Sequence, residues 1–182
     1  MIEQITNIDF QILDWIQANL RCPFFDFLMP KLSLLGEWGI IWLIIGIIML
    51  FFRKTRRAAT IMLISTAAVL LFGELFLKNT VCRVRPCNVR PYIDIPVKRP
   101  TSYSFPSGHS STAFSCATSI WLHHKLFGFF VLILAFLIAF SRMYNYVHFP
   151  SDVLAGALLG ALFALITFAV ARKVVPRPRR RI

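Results

Sequence analysis

The chain's densest group of reactive side chains lies between Ser141 and Asp152, in a stretch that joins two long apolar runs. His148 and Asp152 are four residues apart, so a helix beginning near Pro150 lets the carboxylate reach back to the imidazole. That contact makes one ring nitrogen a donor to the carboxylate and leaves the other with a free lone pair, ready to attack or to accept a proton. Arg142 adds a planar set of donors that suits phosphate oxygens. The spacing predicts a nucleophilic histidine, an orienting carboxylate and an anion-binding arginine.

A second cluster follows Pro106 at the start of another apolar run. Ser107 is a good helix N-cap, and Gly108 lets the backbone approach a ligand closely. The free N–H groups of such a helix start form an anion site. His109 stands at that site, where phosphate charge favours its protonated form and where it can protonate a leaving oxygen. A lone histidine at a helix start is more often a cap or an interface residue, so this interpretation depends on the other clusters.

A third, basic cluster surrounds the end of the second apolar run. Lys78 and Arg85 are seven residues apart, so both can face one pocket if the helix continues between them. Glu74 is an acid inside an apolar run, and Lys78 at i+4 is its expected partner. Arg85 directly precedes Pro86, which predicts a helix end there. Taken alone, these cations are better explained as side chains that snorkel to a membrane interface.

Composition predicts the elements that position these clusters. The 182 residues are 57% hydrophobic and 15% charged, with a mean hydropathy of +0.67, which is unusual for a soluble domain. A spanning helix needs about 20 apolar residues, with a range of ~17–25. Five runs approach that length, namely 38–52, 58–77, 107–122, 126–141 and 153–171. The predicted fold is therefore all-α, a polytopic membrane helix bundle of about five spans in a single domain.

Residues 1–35 form a different kind of segment. Isoleucine recurs at helical spacing from Ile5 to Ile16, with acidic residues between the isoleucines. This segment is too charged to span, and it predicts an N-terminal amphipathic interfacial helix on the outer surface of the membrane. Pro23 and Pro30 are expected to break the region that follows. Whether the segment also forms a lip that admits a lipid to the site stays open.

Charge predicts the orientation of the chain. Eleven basic residues without an accompanying acid occupy the connector 53–57, Lys125 and the segment 172–182, and the positive-inside rule places all three in the cytoplasm. The domain 1–182 then consists of the interfacial segment, a transmembrane bundle over 36–171 and a basic cytoplasmic tail over 172–182. Attraction to anionic lipid explains such a tail at a membrane edge better than nucleic-acid binding does.

Counting the spans places the three clusters on one face. They follow the second span, open the third and join the fourth to the fifth, so alternation puts all of them on the non-cytoplasmic side. Small and hydroxyl side chains across residues 111–118 also predict that the third span is central in the bundle. We therefore expect a multi-pass cell-membrane protein with its site on the extracytoplasmic face and its C-terminus in the cytoplasm.

Together the clusters resemble the three-part signature of the type 2 phosphatidic acid phosphatase superfamily. The match is complete in residue type, spacing and order, over roughly residues 58–171. Its parts are Lys78-x6-Arg85-Pro86, Pro106-Ser107-Gly108-His109 and Ser141-Arg142-x5-His148-x3-Asp152. Many members of the family have an additional N-terminal span, whose place the segment 1–35 takes here.

The resemblance also implies roles for these residues. His148 is expected to be the nucleophile, Asp152 to orient it and His109 to be the general acid. The phosphate is expected to be bound by Lys78, Arg85, Arg142, Ser107 and the Gly108 amide. Members need no metal, and no Cys/His pair of this chain has the spacing of zinc ligands, so no cofactor is expected.

The expected reaction is metal-independent hydrolysis of a lipid phosphate or diphosphate at the outer face, through a phosphohistidine intermediate. Three cationic side chains and a helix start supply the positive charge that phosphate-ester cleavage needs around the non-bridging oxygens. A lipid substrate is inferred because the site lies at headgroup level between apolar walls. Among the substrates of the family, undecaprenyl diphosphate is expected first, with phosphatidylglycerophosphate and phosphatidic acid as alternatives.

Two other classes of function stay open. A non-catalytic lipid-phosphate binder or transporter explains the cationic pocket, but not a pair of His148 and Asp152 opposite His109. A structural membrane anchor would use Gly156-x3-Gly160 as a helix-packing face. That glycine pair is better explained by packing within the chain.

Overall fold

The computed structural model describes residues 2–174, without the side chains of Ile2 and Trp38. This part of the chain is all-helical, as the sequence predicts. Its helices are α1 (Ile2–Leu20), α2 (Pro23–Leu35), α3 (Ile40–Phe51), α4 (Arg56–Leu70), α5 (Lys78–Val81), α6 (Pro86–Val89), α7 (Gly108–Trp121), α8 (Lys125–Tyr144) and α9 (Pro150–Val174). A 3-10 turn, Glu37–Gly39, precedes α3, and a π-helical segment, Leu71–Leu77, joins α4 to α5. Positions 175–182 of the predicted basic tail lie outside the described residues.

Length and hydropathy support fewer crossings than the sequence predicts. Within residues 2–174, three helical stretches are long and apolar enough to span on their own: Arg56–Val89, α8 and α9. A fourth crossing is possible if α2 and α3, bent by 54° at the turn between them, count as one span. Helix α7 has only 14 residues, or about 21 Å at ~1.5 Å per residue. It falls short of a full span because the Pro-rich stretch before it is not helical.

Helix α7 nevertheless lies at the centre of the bundle, as its small side chains predict. It packs against α4, α8 and α9. A Cβ atom added at Gly156 of α9 would lie 2.6 Å from the carbonyl oxygen of Ser107, and one at Gly160 would overlap the carbonyl oxygen of Ser111. The two glycines therefore let α9 approach the backbone of α7, which confirms the prediction that they serve packing within the chain.

The prediction that Pro23 and Pro30 break the region after α1 is confirmed for Pro23, where a new helix begins, and wrong for Pro30. Pro23 occupies the first turn of α2, where its missing N–H needs no partner. Pro30 lies inside the same continuous helix. Packing of α2 against α8 offsets the cost of a proline inside the helix.

Helix α1 turns its apolar stripe outward and part of its acidic face toward the protein. Its exposed large apolar side chains are Ile5, Ile8, Ile12 and Trp15. Asp9, in contrast, is only 3% exposed, beside buried Leu13 and Ile16. An outward apolar stripe suits contact with lipid, while the inward carboxylate needs partners within the protein.

One hydrogen bond brings the basic connector and the end of the last helix together. Arg57 Nη2 donates to the carbonyl oxygen of Ala171 over 3.2 Å. The connection between α3 and α4 therefore lies at the same end of the bundle as the end of α9. The loops 82–107 and 145–149 lie at the other end, because α4 and α9 each run the length of the bundle between the two ends.

Candidate active site

His148 lies in the short connection between α8 and α9. The carbonyl oxygen of Arg142 accepts from the backbone N–H groups of Val147, at 3.1 Å, and His148, at 3.3 Å. Tyr146 adopts a left-handed conformation with φ +58°, which lets the chain reverse within this connection. His148 is consequently held inside the protein, with 1% of its surface exposed.

The partners of His148 assign its tautomer. Arg85 Nη1 lies 2.9 Å from His148 Nε2, and a guanidinium can only donate, so Nε2 is the acceptor. The ring proton of the neutral imidazole is then on Nδ1, which faces Asp152 Oδ2 at 3.7 Å. The spacing does bring the ring next to the carboxylate, but the predicted hydrogen bond is absent: Nδ1 has no hydrogen-bond partner among the described residues, and Nε2, expected to be free, accepts from Arg85. The distance to Asp152 is longer than a hydrogen bond, so in this state the carboxylate acts on the ring through its charge.

Burial and three neighbouring cations set the charge state of His148. Desolvation is the main cause that holds the pKa of His148 well below its ordinary value of 6.5, followed by the positive charges of Arg85, Arg142 and Lys78. The ring is therefore neutral and keeps its lone pair. The three cations expected to bind phosphate are thus all near enough to this imidazole to act on it.

Arg85 reaches the pocket by a different route from the one predicted. The helix does not continue from Lys78, because α5 ends at Val81 and Cys82 takes a left-handed conformation with φ +50°. Arg85 then bonds from Nε to the carbonyl oxygen of Ser102 at 2.7 Å, and from Nη2 to its hydroxyl at 3.0 Å. The chain reversal at Cys82, and not a continuous helix from Lys78, therefore orients this guanidinium.

Lys78 is paired with Glu74, as the i+4 spacing predicts. Its Nζ lies 2.8 Å from Oε1 and 2.9 Å from Oε2 of that carboxylate. A Cβ atom added at Gly108 would lie 2.5 Å from Glu74 Oε1, so the missing side chain at this glycine makes room for the carboxylate. An anion that binds Lys78 must compete with Glu74.

Ser107 is the N-cap of α7, as predicted. Its hydroxyl oxygen accepts from the backbone N–H of Ser110 at 3.4 Å and from the Ser110 hydroxyl at 3.0 Å. Its own N–H donates to the carbonyl oxygen of Asp152 over 3.1 Å. The helix start that was expected to bind an anion is thereby tied to the first turn of α9.

His109 and Arg142 meet at Ser33 of α2. His109 Nε2 lies 3.1 Å from the Ser33 carbonyl oxygen, and because a carbonyl only accepts, Nε2 carries the proton and Nδ1 is the nitrogen that can take up another. Arg142 Nη1 donates to the Ser33 hydroxyl. Arg142 Nε is buried and makes no hydrogen bond with any described part of the chain, which leaves a donor available to an anion.

The residues that hold Asp152 are not among those predicted from the sequence. Its Oδ1 accepts from Arg83 Nη1 at 2.6 Å. Its Oδ2 accepts from the Ser104 hydroxyl and from the N–H of Phe149, the latter at 2.9 Å. Arg83 also pairs with Asp9 of α1 at 2.7 Å. The only signal for Arg83 was its place in the spacer of the basic cluster, and nothing local marks the others.

The structure therefore places the selected cations and the two histidines close together: Arg85 and Arg142 lie near both His109 and His148, and Lys78 lies near His148. A neutral imidazole presents its lone pair beside a guanidinium, two further cations lie nearby, and a second histidine opens the adjacent helix. Such a set suits an electrophile that carries negative charge on several oxygens.

Comparison with known proteins agrees with this geometry. The PAP2 superfamily model matches residues 56–176. The chain is 31% identical over 155 residues to the bacitracin transport permease protein BcrC of Bacillus licheniformis, covering 82% of this chain and 75% of that protein. It is 34% identical over 146 residues to an undecaprenyl-diphosphatase of Sulfolobus acidocaldarius, covering 79% and 69%.

A solved structure extends the likeness to the fold. The crystal structure of a transmembrane PAP2-type phosphatidylglycerolphosphate phosphatase from Bacillus subtilis matches with a TM-score of 0.78 at 28% identity, covering 96% of this chain and 90% of that one. Family match, relatives and fold agree with the resemblance read from the three motifs. The chain therefore belongs to the PAP2 superfamily and is a membrane lipid phosphatase of that family.

Proposed function

We propose that the chain hydrolyses a polyprenyl diphosphate, undecaprenyl diphosphate first among the expected substrates, without a metal and through a phosphohistidine. The observation that supports this most directly is the 2.9 Å contact between Arg85 Nη1 and His148 Nε2. In this structure the Nε2 lone pair accepts from Arg85; a phosphate oxygen that takes over this N–H would free the lone pair and hold the phosphorus atom close to it. Positioning of this kind is the main requirement of phosphoryl transfer.

The proposed phosphate cradle consists of Lys78, Arg85 and Arg142 together with the start of α7. Arg142 contributes the buried Nε that has no partner among the described residues. Lys78 becomes available when phosphate replaces Glu74, with which it is paired here. Fixed positive charge around the non-bridging oxygens stabilises the transition state without reorganisation.

In the proposed reaction, the lone pair on His148 Nε2 attacks phosphorus and forms a P–N bond. The bond between this terminal phosphorus and the bridging oxygen breaks, and the bridging oxygen, which leaves with the lipid monophosphate, takes a proton from Nδ1 of a doubly protonated His109. Water then attacks the same phosphorus and gives its proton to His109, while the P–N electron pair returns to His148. The products are the lipid monophosphate and inorganic phosphate, and Asp152 stabilises the positive charge on the His148 ring during the attack.

The proposed membrane arrangement has five spans and the site on the extracytoplasmic face. Helix α1 lies at the outer interface, α2 leads through a bend into the first span, and α7 is a short central span buried among its neighbours. The bond between Arg57 and Ala171 supports a common end for two of the basic segments, which the positive-inside rule assigns to the cytoplasm. This agrees with an interfacial segment 1–35, a bundle 36–171 and a cytoplasmic tail 172–182.

The relatives support the choice of substrate and also define its competitors. The Sulfolobus relative is named for undecaprenyl diphosphate, whereas the matching Bacillus subtilis structure is of a phosphatidylglycerolphosphate phosphatase. Phosphatidylglycerophosphate is therefore the second candidate, followed by phosphatidic acid. A non-catalytic transport role is supported by the name of one relative, but it does not explain the arrangement of the two histidines.

The test is phosphate release by the purified protein from a panel of these lipids, with and without EDTA. We expect the diphosphate to be the best substrate, EDTA to have no effect, and His148→Gln to lower the rate by roughly 10⁴-fold or more, the scale of losing a nucleophile. His124→Gln is the matched control, since that histidine precedes α8 at the opposite end of the bundle. Loss of activity with EDTA, or turnover by His148→Gln, would contradict the mechanism; preference for another lipid would replace the substrate.

A labelled terminal phosphate separates the enzyme from a binder. Wild-type protein quenched during turnover should carry label on a base-stable, acid-labile bond, which His148→Gln should not form. A binder would retain labelled lipid in both proteins without releasing phosphate.

A further inference from the structure

We propose that Arg83 and Asp9 are positioning residues, through which the N-terminal helix α1 sets the geometry of Asp152 and hence of His148. The inference rests on the proposed roles of Asp152 and His148. It assigns α1 a part in the catalytic unit, in addition to its contact with the membrane interface.

Arg83 joins three separate parts of the chain. Its Nη1 lies 2.6 Å from Asp152 Oδ1 and 2.7 Å from the hydroxyl of Ser151. Its Nη2 lies 2.7 Å from Asp9 Oδ2. Its guanidinium also covers the ring of Phe149 at 4.0 Å, the residue directly after His148. One rigid, planar group therefore contacts α1, the connection that carries His148, and the first turn of α9.

Asp9 caps the helix that carries Asp152, although it belongs to a distant part of the sequence. Its Oδ1 accepts from the backbone N–H of Ser151 at 2.9 Å, and its Oδ2 accepts from the Ser151 hydroxyl at 2.5 Å. The first N–H groups of a helix have no partner within it. A carboxylate at this end also interacts favourably with the helix dipole. Asp9, only 3% exposed, thus stabilises the turn that presents Asp152 to His148.

Arg83 also affects the strength of the electrostatic interaction between the Asp152 carboxylate and the His148 ring. This carboxylate already accepts from Arg83, from Ser104 and from the N–H of Phe149, and it stays 3.7 Å from His148 Nδ1. Arg83 in turn divides its charge between Asp152 and Asp9. A change at Asp9 should therefore alter both the position of Asp152 and the electrostatic field at the imidazole.

The experiment compares Asp9→Asn with Asp14→Asn in the full-length enzyme. Asp14 lies on the same helix and tethers it through Arg90, at 2.8 Å, and the Tyr146 hydroxyl, at 2.9 Å, without contacting Asp152 or Ser151. We expect Asp9→Asn to lower kcat by on the order of 10- to 100-fold, the effect of a misplacement of up to ~1 Å, with little change in KM. Asp14→Asn should keep kcat within about twofold of the wild-type value. Its Tm should also stay close to that of the wild type, since a lost surface ion pair changes stability little.

The pH profile of kcat distinguishes a positioning role from a merely structural one, because loss of stability alone would not shift the acid limb of the profile. Asp9→Asn removes a negative charge, so the acid limb should move to lower pH. Arg83→Gln removes a positive charge and should move it to higher pH. The other cations that face His148 are unchanged in both variants; they are Lys78, Arg85 and Arg142.

Equal kcat and identical pH profiles for Asp9→Asn and Asp14→Asn would overturn the proposal, whether or not Arg83→Gln folds. A wild-type protein that releases no phosphate would instead overturn the proposed function itself. The two failures are therefore distinguishable.

Discussion

Gly156→Ala tests whether contact between α7 and α9 sets the geometry of the active site. Gly156 lies one turn after Asp152 and faces the start of α7. An added Cβ atom would lie 2.6 Å from the carbonyl oxygen of Ser107 and 3.2 Å from Cβ of Ser110. The Ser107 backbone cannot retreat freely, because its N–H is bonded to the Asp152 carbonyl oxygen at 3.1 Å.

The expected size of the effect follows from that distance. The contact must open from 2.6 Å to at least 3.4 Å to reach ordinary van der Waals separation. Overpacking of this kind costs about 1–3 kcal/mol, while alanine in place of glycine returns up to ~1 kcal/mol of helix propensity. Stability should therefore change modestly. Activity should fall further, by roughly 10- to 100-fold in kcat/KM, because misplacing reacting groups by ~1 Å can cost ~10²-fold.

Gly46→Ala in α3 is the matched control. Its added Cβ atom would also come close to neighbours, at 2.6 Å from Leu63 Cδ2 and 2.7 Å from Met62 Cε. Those atoms are the ends of flexible side chains, which can move aside. The control makes the same chemical change in a helix away from the site, so it should keep wild-type kcat/KM.

The assay measures phosphate release and thermal unfolding of both variants in detergent. A folded Gly156→Ala protein with kcat/KM within about twofold of Gly46→Ala would refute the reasoning, since misplacement by this much should cost far more. It would mean that the close approach of α9 to Ser107 serves packing alone.

The remaining predictions concern charge and topology. Burial and nearby cations hold the pKa of His148 below 6.5, so the reactive neutral ring persists and kcat/KM should be retained as pH falls through 6.5. Arg85→Gln removes one of those cations and should move the acid limb of that profile to higher pH. Glu74→Gln removes the partner of Lys78, so inorganic phosphate should inhibit about fivefold more strongly, the worth of roughly 1 kcal/mol for a partly exposed pair; unchanged inhibition would argue against Lys78 as a ligand. A fluorescent protein fused after Ile182 should be fluorescent in cells, whereas an extracytoplasmic C-terminus should leave it dark.

Local patterns were enough to predict several contacts around the candidate site. The N-cap at Ser107 and the pair of Glu74 with Lys78 depend on residues three or four positions apart, and both are present. The helix bounds also follow the apolar runs, because the hydropathy of a stretch depends only on its own residues. The spacing of His148 and Asp152 likewise predicted that the imidazole lies next to the carboxylate, although the two groups are 3.7 Å apart and not hydrogen-bonded.

Expectations failed where a local rule met a tertiary constraint. Continuation of the helix from Lys78 to Arg85 was one possible geometry for their spacing, but Cys82 in a left-handed conformation ends that helix early. Pro30 should interrupt α2, yet packing against α8 keeps the helix continuous. Helix α7 follows its apolar run, but at 14 residues it is shorter than the full span that was expected of it.

By itself, then, the sequence determined the helical class, the three motifs and the chemistry that their residue types allow. Only the tertiary structure decided which groups hold those residues in place. Asp9 meets Arg83 across 74 positions and Ser151 across 142, and Ser33 meets both His109 and Arg142. Contacts between residues so far apart leave no periodicity or spacing in the chain, because they arise only when helices that carry them pack together.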